Sequence, residues 1–417
     1  MLKKQLIQNT IFILVIILYI PNILQSFKEP LHSYSFSELH INYLGGFIRR
    51  GFLGEISRLF SPLINNLHFF ALVFATLYFI HIILFFKLIK KLENFSLIII
   101  LLSLGPSLLM FPLTHPENYM RKEIFFIVAI LSHSLFIYKS SLNKIPLKNY
   151  ASFQKFYLIP FLILNILIHE AQIFFISVHL LLSYFFVKKD LKEFLKSNFA
   201  KVYLVLLIPF IIVLLNPGHL AQIEKIKDYL STLSNVNNLD AINALYGNIN
   251  LQLGLILKSF YYYTYKGFVS LFSVFILSIV CIILLFHYLI DKKILKIKDS
   301  LIKTYPIFFI PCLFLFIAGS DFGRWFNILG FHLLAFYFVL DVDKNKKLYF
   351  NLRTWILICI ALFSYIFLWT LPTGCCFWEP PVFKSSLFNQ LYYLILETYK
   401  FINSNIIELP LNNFKVG

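Results

Sequence analysis

The sequence predicts an all-α polytopic integral membrane protein. Apolar residues make up 59% of its 417 residues, charged residues make up 14%, and the mean hydropathy is +0.77. A soluble domain carries about 25% charged residues, so this chain has too little polar surface to cover itself in water. Apolar runs of about 20 residues, the length that crosses a bilayer as a helix, recur along the chain. We therefore assign the net charge of +17 to loops beside a membrane and not to a nucleic-acid-binding surface.

About eleven transmembrane helices, within a range of about 10–13, are predicted in a single transmembrane domain that covers 1–417. The apolar runs lie at about 7–26, 68–87, 95–113, 123–138, 156–169, 171–187, 202–216, 268–290, 305–319, 326–340 and 354–372. The first run follows Lys3 and Lys4, as in a signal peptide. No small-residue cleavage site follows this run, so we predict that it is retained as an anchor.

The positive-inside rule sets the predicted orientation, because short cytoplasmic loops carry an excess of Lys and Arg. Lysines gather after alternate helices, at 87–91, 139–155, 188–201, 292–303 and 344–353. We therefore predict a cytoplasmic N-terminus. The outer segments are then the loops 27–67, 114–122, 217–267 and 319–325 and the C-terminal segment 373–417.

Arginine is distributed differently from lysine. The chain has six arginines, and five of them fall in or beside the predicted outer segments: Arg49, Arg50, Arg58, Arg121 and Arg324. A guanidinium group is a planar fork that binds carboxylates and phosphates through two hydrogen bonds, whereas lysine is a hydrated point charge. The pattern indicates anion recognition at the outer side. The alternative is that these arginines only anchor helix ends and form local ion pairs.

The first outer loop, 27–67, carries the densest set of unusual residues. Gly45-Gly46 and Gly51 flank Arg49-Arg50, and small residues let the backbone approach a ligand closely. Apolar side chains then recur at helical spacing, at positions 53, 56, 59, 60 and 63. This spacing predicts an amphipathic helix that lies in the outer membrane interface. The alternative for the whole loop is a structural plug without chemistry.

Three further polar motifs interrupt apolar sequence at predicted outer helix ends. They contain His115, Glu117 and Arg121; His169 and Glu170; and Asp321 and Arg324. Ionisable side chains in such surroundings are candidate functional residues, and local ion pairs are the alternative. Glu117 and Arg121, four apart, would share one face of a helix that begins near Pro116.

Carboxylates and arginines at one membrane face suit group transfer from a phosphorylated lipid. A carboxylate acts as a general base towards an acceptor hydroxyl, and arginines hold a phosphate leaving group. A polyprenyl-phosphate-linked sugar has a tail for the bilayer and an anionic headgroup for the arginines. The sequence has no nucleotide-binding loop and no metal-ligand spacing, so we predict no required cofactor and leave a role for a divalent metal open.

The helix layout and the loop 27–67 resemble the GT-C membrane glycosyltransferases. The resemblance implies that an acidic residue of the first outer loop is catalytic and that the donor is a lipid-linked sugar. Among the loop acids, Glu29 lies close to the end of the first helix, and Glu55 has a partner three residues away in Arg58. Glu38 has no such local partner, so we predict it as the catalytic carboxylate. The alternates are Asp321 and Glu170.

We therefore expect a hexosyltransferase-type enzyme in the bacterial cytoplasmic (inner) membrane, acting in the assembly of cell-surface polysaccharide or glycoconjugate. Its expected partners are the lipid-linked sugar donor, membrane lipids and a glycan or lipid acceptor. The predicted substrate-binding residues are Arg49, Arg50, Arg121, Arg324, His115 and His169. An O-antigen or polysaccharide repeat-unit polymerase is the nearest alternative, and a secondary transporter or lipid-linked oligosaccharide flippase is the alternative from another class.

Overall fold

The computed structural model describes most of the chain up to residue 245 and much of 279–342. The described residues are 2–31, 33–90, 96–105, 107–114, 116–143, 145–187, 190–233, 239–243, 245, 279–293, 295–297, 299–318 and 322–342, together with 353, 356, 358, 360 and 362. His115, Asp321, Cys375, Cys376 and the predicted outer segment 373–417 lie outside the described residues.

The described chain is built from helices of unequal length. In chain order they are α1 (Leu2–Lys28), α2 (Ser33–Leu39), α3 (Phe52–Phe60), α4 (Asn66–Ile89), α5 (Ser96–Ser103), α6 (Phe111–Thr114), α7 (Pro116–Tyr119), α8 (Ile124–Leu142), α9 (Leu147–Phe153), α10 (Ile159–Ile168), α11 (Gln172–Val187), α12 (Leu191–Lys196), α13 (Asn198–Lys201), α14 (Leu207–Leu215), α15 (Leu220–Ser231), α16 (Asp240–Asn243), α17 (Cys281–Asp291), α18 (Asp299–Ala318) and α19 (Phe322–Val339). A π-helical turn, Gln154–Leu158, joins α9 to α10, and a 3-10 segment, Val202–Leu206, joins α13 to α14. Two short strands, β1 (Leu295–Lys296) and β2 (Asp341–Val342), pair antiparallel.

Five helical stretches are long and apolar enough to cross a membrane: Leu6–Lys28, Asn66–Ile89, Ile124–Ser141, Leu147–Ile168 and Asn198–Leu215. Shorter apolar helices lie at Gln172–Val187, Ile282–Asp291 and Leu301–Phe316. Several of these helices expose large apolar side chains, as α14 does with Ile208, Ile211 and Leu215. Such surface suits contact with lipid tails. The helices indicate a membrane protein, whereas the total of eleven spans stays a prediction.

One predicted span, 95–113, is wrong as a continuous helix. α5 ends at Ser103, and turns at 104–105 and 107–110 precede the short α6. The sequence explains the break, because Gly105 is conformationally free and a proline at position 106 disfavours helical backbone in the residue before it. The turn is held in place by the Tyr19 hydroxyl, which donates a hydrogen bond of 2.5 Å to the carbonyl of Leu109.

Helix α8 connects the main parts of the apolar core. It packs against both α4 and α19, while α1 packs against α4 and α11 against α18. Aromatic side chains fill the space between α4 and α19, where the rings of Phe85 and Phe331 meet edge to face with centroids 5.8 Å apart. Phe126 and Ile130 of α8 are fully buried, so this helix supports the residues placed at its N-terminus.

The described parts of the first and third predicted outer loops lie at the same end of the described helices. The amide of Arg49, in the first loop, donates to the carbonyl of Asn216, directly after α14, at 2.9 Å. The side chain of Arg50 reaches Glu170, between α10 and α11. At the opposite end of α19, β2 pairs with β1 and joins two predicted inner segments. Segments predicted to share a side of the membrane therefore share an end of the helices, and which end is cytoplasmic stays a prediction.

The first and third outer loops form a small apolar cap at this end. Ile41 and Ile48 of the first loop pack against Ile223, Ile226 and Leu230 of α15. The sequence analysis did not predict α15, although the spacing of these three residues, three and four apart, is a helical signal. The cap holds the first loop over the ends of the apolar helices.

The sidedness can be measured by labelling. We expect single cysteines at Ser61 and Ser231 to react with a membrane-impermeant maleimide on intact cells, because the lysine-poor end should face outward. Cysteines at Asn143 and Lys192 should react only after the membrane is permeabilised. All four positions are exposed, so burial cannot explain a missing reaction. The variants are made in a chain whose five native cysteines are replaced by alanine, and the reverse labelling pattern would place the arginines in the cytoplasm.

Candidate functional site

Charged side chains from five segments meet at the end of the helices that carries the first loop. We call this set the charge cluster. It consists of Glu38 on α2, Arg49 and Arg50 in the loop before α3, Arg121, Lys122 and Glu123 before α8, His169 and Glu170 between α10 and α11, and Arg324 on α19. The four arginines predicted to bind substrate therefore converge, and they do not scatter around the perimeter as anchors at helix ends would.

Arg50 is the central ion-pairing residue of the cluster. Its Nε lies 3.0 Å from both carboxylate oxygens of Glu170, and its Nη2 lies 2.6 Å from Oε1 of the same residue. Its Nη1 donates to Oε1 of Glu38 at 3.2 Å. The backbone of Arg50 has a φ of 62°, a left-handed conformation that non-glycine residues adopt at a cost. The strained backbone directs one guanidinium group between two carboxylates.

Glu38 is buried and paired, with 6% of its surface exposed. The prediction that it lacks partners and is free to face an acceptor is wrong, because Arg50 and Arg121 approach its two oxygens to 3.2 and 3.5 Å. Burial alone would raise the pKa of Glu38, but the positive charges of Lys122, Arg50 and Arg121 outweigh it and hold the pKa below its ordinary value. Glu38 is therefore ionised at physiological pH.

Lys122 holds the backbone of the first loop through two hydrogen bonds. Its Nζ donates to the carbonyl of Glu38 at 3.0 Å and to the carbonyl of Arg50 at 3.2 Å. The side chain is fully buried, and burial lowers the pKa of Lys122 to about 8, although Glu38 opposes the shift. One buried amine thus joins α2 to the strained residue Arg50.

Glu123, Arg324 and His169 form the second half of the cluster. Nη1 of Arg324 lies 2.6 Å from Oε1 of Glu123. The amide of Ala171 donates to Nδ1 of His169 at 3.2 Å, so the ring proton of neutral His169 is on Nε2, which lies 3.8 Å from Glu123. Burial lowers the pKa of His169 to about 4, so this histidine is neutral at pH 7.

Arg49 lies at the open side of the cluster. Its Nη1 is 3.8 Å from Glu170, and its Nε has no hydrogen-bond partner within the described part of the chain. The side chains of Arg49 and Arg50 are 24% and 26% exposed, against 5% for Arg121. A ligand that enters from outside would therefore reach Arg49 and Arg50 first.

The charges of the described cluster do not balance. Four arginines and Lys122 face three carboxylates, those of Glu38, Glu123 and Glu170, while His169 is neutral. Buried charges are costly unless they are paired. Among the described residues of the cluster, positive charge therefore predominates.

The other predicted site residues have different positions. Helix α7 does begin at Pro116 but ends at Tyr119, so Arg121 lies beyond it and pairs with Glu38. The predicted pair of Glu55 and Arg58 is confirmed, with 2.6 Å between Nη2 and Oε1. His115 and Asp321 lie outside the described residues.

Sequence reasoning missed Lys122 and Glu123. Both stand in the motif MRKE directly before an apolar helix, where a run of three charged residues is itself a signal. The predicted contact in this motif, between positions 117 and 121, depends on the four-residue spacing, which is a local pattern. The partners of Lys122 and Glu123 lie 84 and 201 residues away, and local spacing carries no information about such contacts.

The described residues include no group of three or more His, Cys, Asp or Glu side chains placed to hold a metal ion. A small cavity of about 20 Å³ lies beside Arg121, Glu123 and Arg324, which is room for about one water molecule. Comparison with protein families, with curated proteins and with solved structures finds no match to this chain. Functional inference therefore rests on the geometry of the cluster.

The buried amine of Lys122 predicts a pH dependence of stability. Its folded pKa of about 8 lies below the ordinary value of 10.5, so between these values the unfolded chain binds more protons and folding gains stability as the pH rises. We expect the unfolding temperature of the wild type in detergent to rise relative to Lys122→Met between pH 8 and pH 10. The exposed residue Lys225 provides the control Lys225→Met, whose difference from the wild type should stay constant. A constant difference for Lys122→Met would contradict the lowered pKa.

Proposed function

We propose that this chain is a membrane glycosyltransferase of the GT-C type that uses a polyprenyl-(di)phosphate-linked sugar as donor. It acts at the outer face of the bacterial cytoplasmic membrane in the assembly of cell-surface polysaccharide or glycoconjugate. The observation that carries the proposal is the convergence of Arg49, Arg50, Arg121 and Arg324 on one site at the end of apolar helices. A guanidinium group can donate hydrogen bonds to two phosphate oxygens at once, so such a site suits a phosphate or diphosphate.

The surroundings of Arg49 support a lipid as the carrier of that phosphate. The Arg49 amide is bonded to Asn216, the residue that follows α14. Helix α14 exposes an apolar face, and Leu215 at its end is 72% exposed. A polyprenyl tail along α14 would therefore bring its headgroup to Arg49 without leaving the bilayer.

The carboxylates of the cluster supply the second half of the chemistry. Glu38 and Glu170 are ionised, and an ionised carboxylate accepts the proton of an acceptor hydroxyl as the sugar is transferred. The arginines stabilise the charge that develops on the departing phosphate. Glu38 holds Arg50 and Arg121 in place as well, so its removal affects the base and the phosphate site together. Glu170 is one alternate, and Asp321 is the other.

The number of spans, the orientation and the partners in this proposal are those expected from the sequence. The single domain 1–417 spans the membrane about eleven times with its N-terminus in the cytoplasm, and α3 lies in the outer interface with Leu59, Phe60 and Leu63 exposed. The partners are the lipid-linked donor, membrane lipids and a glycan or lipid acceptor, and no cofactor is required. A repeat-unit polymerase would use the same phosphate site with a longer glycan on the donor.

A second candidate function is proton-coupled transport, including flipping of a lipid-linked oligosaccharide. Nδ1 of His133 on α8 lies 3.1 Å from Nδ1 of His179 on α11, and Nε2 of His133 lies 2.8 Å from the hydroxyl of Tyr150. That hydroxyl lies 2.6 Å from Oγ of Ser183. Hydrogen-bonded rows of buried side chains that can exchange protons occur in the spanning helices of transporters. Such hydrogen bonds also hold helices together in proteins that transport nothing. A transfer assay separates the two functions, because a transporter leaves the sugar on its lipid.

Arg49→Lys tests the phosphate site. The change keeps the charge but removes the fork of donors, so we expect the apparent KM for a lipid-phosphate donor to rise roughly tenfold to a hundredfold. The measurement is transfer of a radiolabelled sugar in proteoliposomes. The matched control is Arg58→Lys in the same loop, whose partner is Glu55 outside the cluster, and it should leave KM unchanged. An unchanged KM in both variants would show that Arg49 does not bind the donor.

Glu38→Gln tests the catalytic carboxylate. The amide has the shape of the carboxylate but accepts no proton, so we expect turnover to fall by about 10²–10⁴-fold. The control is Glu55→Gln, which removes a loop carboxylate that pairs only with Arg58 among the charged residues described. Both variants should melt as single species in detergent, which separates catalysis from unfolding. Turnover near that of the wild type in a folded Glu38→Gln variant would rule out this residue and direct attention to Glu170.

A further inference from the structure

A half-open cavity lies beside α2, separate from the charge cluster. Its volume is about 410 Å³, which is in the range of small-molecule binding sites. Phe36 and His40 line it from the α2 side, and residues 61–67 and the end of α15 complete the wall. Phe36 and His40 are four residues apart, whereas Glu38 lies about 200° around the helix from Phe36. α2 therefore presents the cavity on one face and the cluster on the other.

The cavity differs from the cluster in charge. No charged side chain is among the described residues that line it, and their polar groups are the neutral side chains of His40, Ser61, Asn65, Asn66 and Thr232. An ionic ligand would lose its hydration there without gaining a partner. Hydroxyl and amide groups instead match hydroxyl groups of a ligand. The lining therefore favours an uncharged molecule with several hydroxyl groups.

His40 supplies a hydrogen-bond acceptor that no described residue uses. Its Nδ1 lies 2.9 Å from the carbonyl oxygen of Phe36, and a carbonyl only accepts, so Nδ1 carries the ring proton. Nε2 then has a lone pair, and it is buried without a partner among the described residues. Burial lowers the pKa of His40 to about 4, so the ring is neutral at pH 7. A buried acceptor without a partner is unfavourable, and His40 is among the residues that line the cavity.

The apolar part of the lining suits a sugar ring at the membrane surface. Phe36 contributes an aromatic side chain, and the C–H faces of hexoses pack well against aromatic rings. Leu63, on the rim, is 83% exposed, and it continues the exposed apolar residues Leu59 and Phe60 of α3. The opening thus lies where a headgroup would stand if α3 lies in the membrane interface.

We propose that the cavity between α2, residues 61–67 and the end of α15 binds an uncharged, hydroxyl-bearing glycan through His40. In the glycosyltransferase proposed above this ligand is the acceptor, and only that role rests on the proposed function. The cavity and the cluster are separated by one helix, about 10 Å across. The acceptor is therefore an extended glycan, held in the cavity at one point while another of its hydroxyl groups reaches the cluster.

The binding is tested with octyl β-D-glucoside, below its micellar concentration, and the full-length protein in nanodiscs. Saturation-transfer NMR reports which protons of the probe contact the protein. We expect clear signals from the sugar ring, and a loss of about fivefold or more in His40→Phe, which removes the acceptor atom. The substitution keeps an aromatic ring against Phe36 and Phe70, whose centroids lie 4.6 and 4.9 Å from that of His40.

A second pair of variants tests the cavity even if His40→Phe does not fold. Thr232→Trp fills the cavity and should remove the sugar signals, while Ser231→Trp places the same ring on the neighbouring exposed residue, outside the lining, and should keep them. Octyl sulfate, which has the same tail and a charged headgroup, should not displace the glucoside. Sugar signals that persist in both His40→Phe and Thr232→Trp would overturn the proposal, and so would displacement by octyl sulfate.

The glucoside-binding test and the transfer assay can fail separately, because they use different variants and different ligands. If Arg49→Lys leaves donor KM unchanged but His40→Phe loses glucoside binding, the glycan site stands and the proposed phosphate site is wrong. If Arg49→Lys raises KM and His40→Phe retains glucoside binding, the phosphate site stands and the glycan site is wrong.

Discussion

The pairing of Arg50 with both Glu38 and Glu170 is the constraint on which the outer end of this protein depends. It joins α2 to the junction of α10 and α11, where Glu170 lies 120 residues after Arg50 in the chain. Removal of Arg50 would take away the nearest cation of both carboxylates and leave them with Arg121 at 3.5 Å and Arg49 at 3.8 Å. The strained backbone of Arg50 and the contact of Lys122 with its carbonyl are the local consequences. Together these contacts hold the first loop in the conformation in which Glu38 and Glu170 are paired.

Stability alone does not account for such a cluster. Replacement of buried ion pairs by apolar residues of similar volume is often neutral or stabilising, and the apolar core around α8 shows that this chain packs aromatic residues well. Two of the arginines also remain partly exposed at the open side. Lysine would satisfy the positive-inside rule equally well. The four arginines at this end supply the planar forks that the proposed phosphate ligand would need.

The helices and several site residues could be predicted from sequence because their signals are local. Hydropathy located α1, α4, α8 and α11, and the three-residue spacing of Glu55 and Arg58 identified their pair. The isolated polarity of His169-Glu170 and of the arginines singled out residues that the structure brings together. The contacts that could not be predicted join residues that are far apart in the sequence. The partners of Glu38, the role of Lys122 and the packing of α15 on the first loop all join segments with no periodic relation.

The two faces of α2 suggest how one short helix can separate two kinds of recognition. Glu38 pairs with Arg50 and Arg121, while His40, directly after α2, lines a cavity whose described lining carries no charge. An anionic headgroup would be unpaired in the cavity, and a neutral glycan would leave the cationic cluster unsatisfied, so each ligand is excluded from the other's place. The close approach of α3 keeps this arrangement rigid: a side chain at Gly54 would meet the carbonyl of Leu39 at 2.7 Å. Because Arg50 and Lys122 hold Glu38 of α2, the contacts that hold the loop would also set the distance between the two proposed ligands.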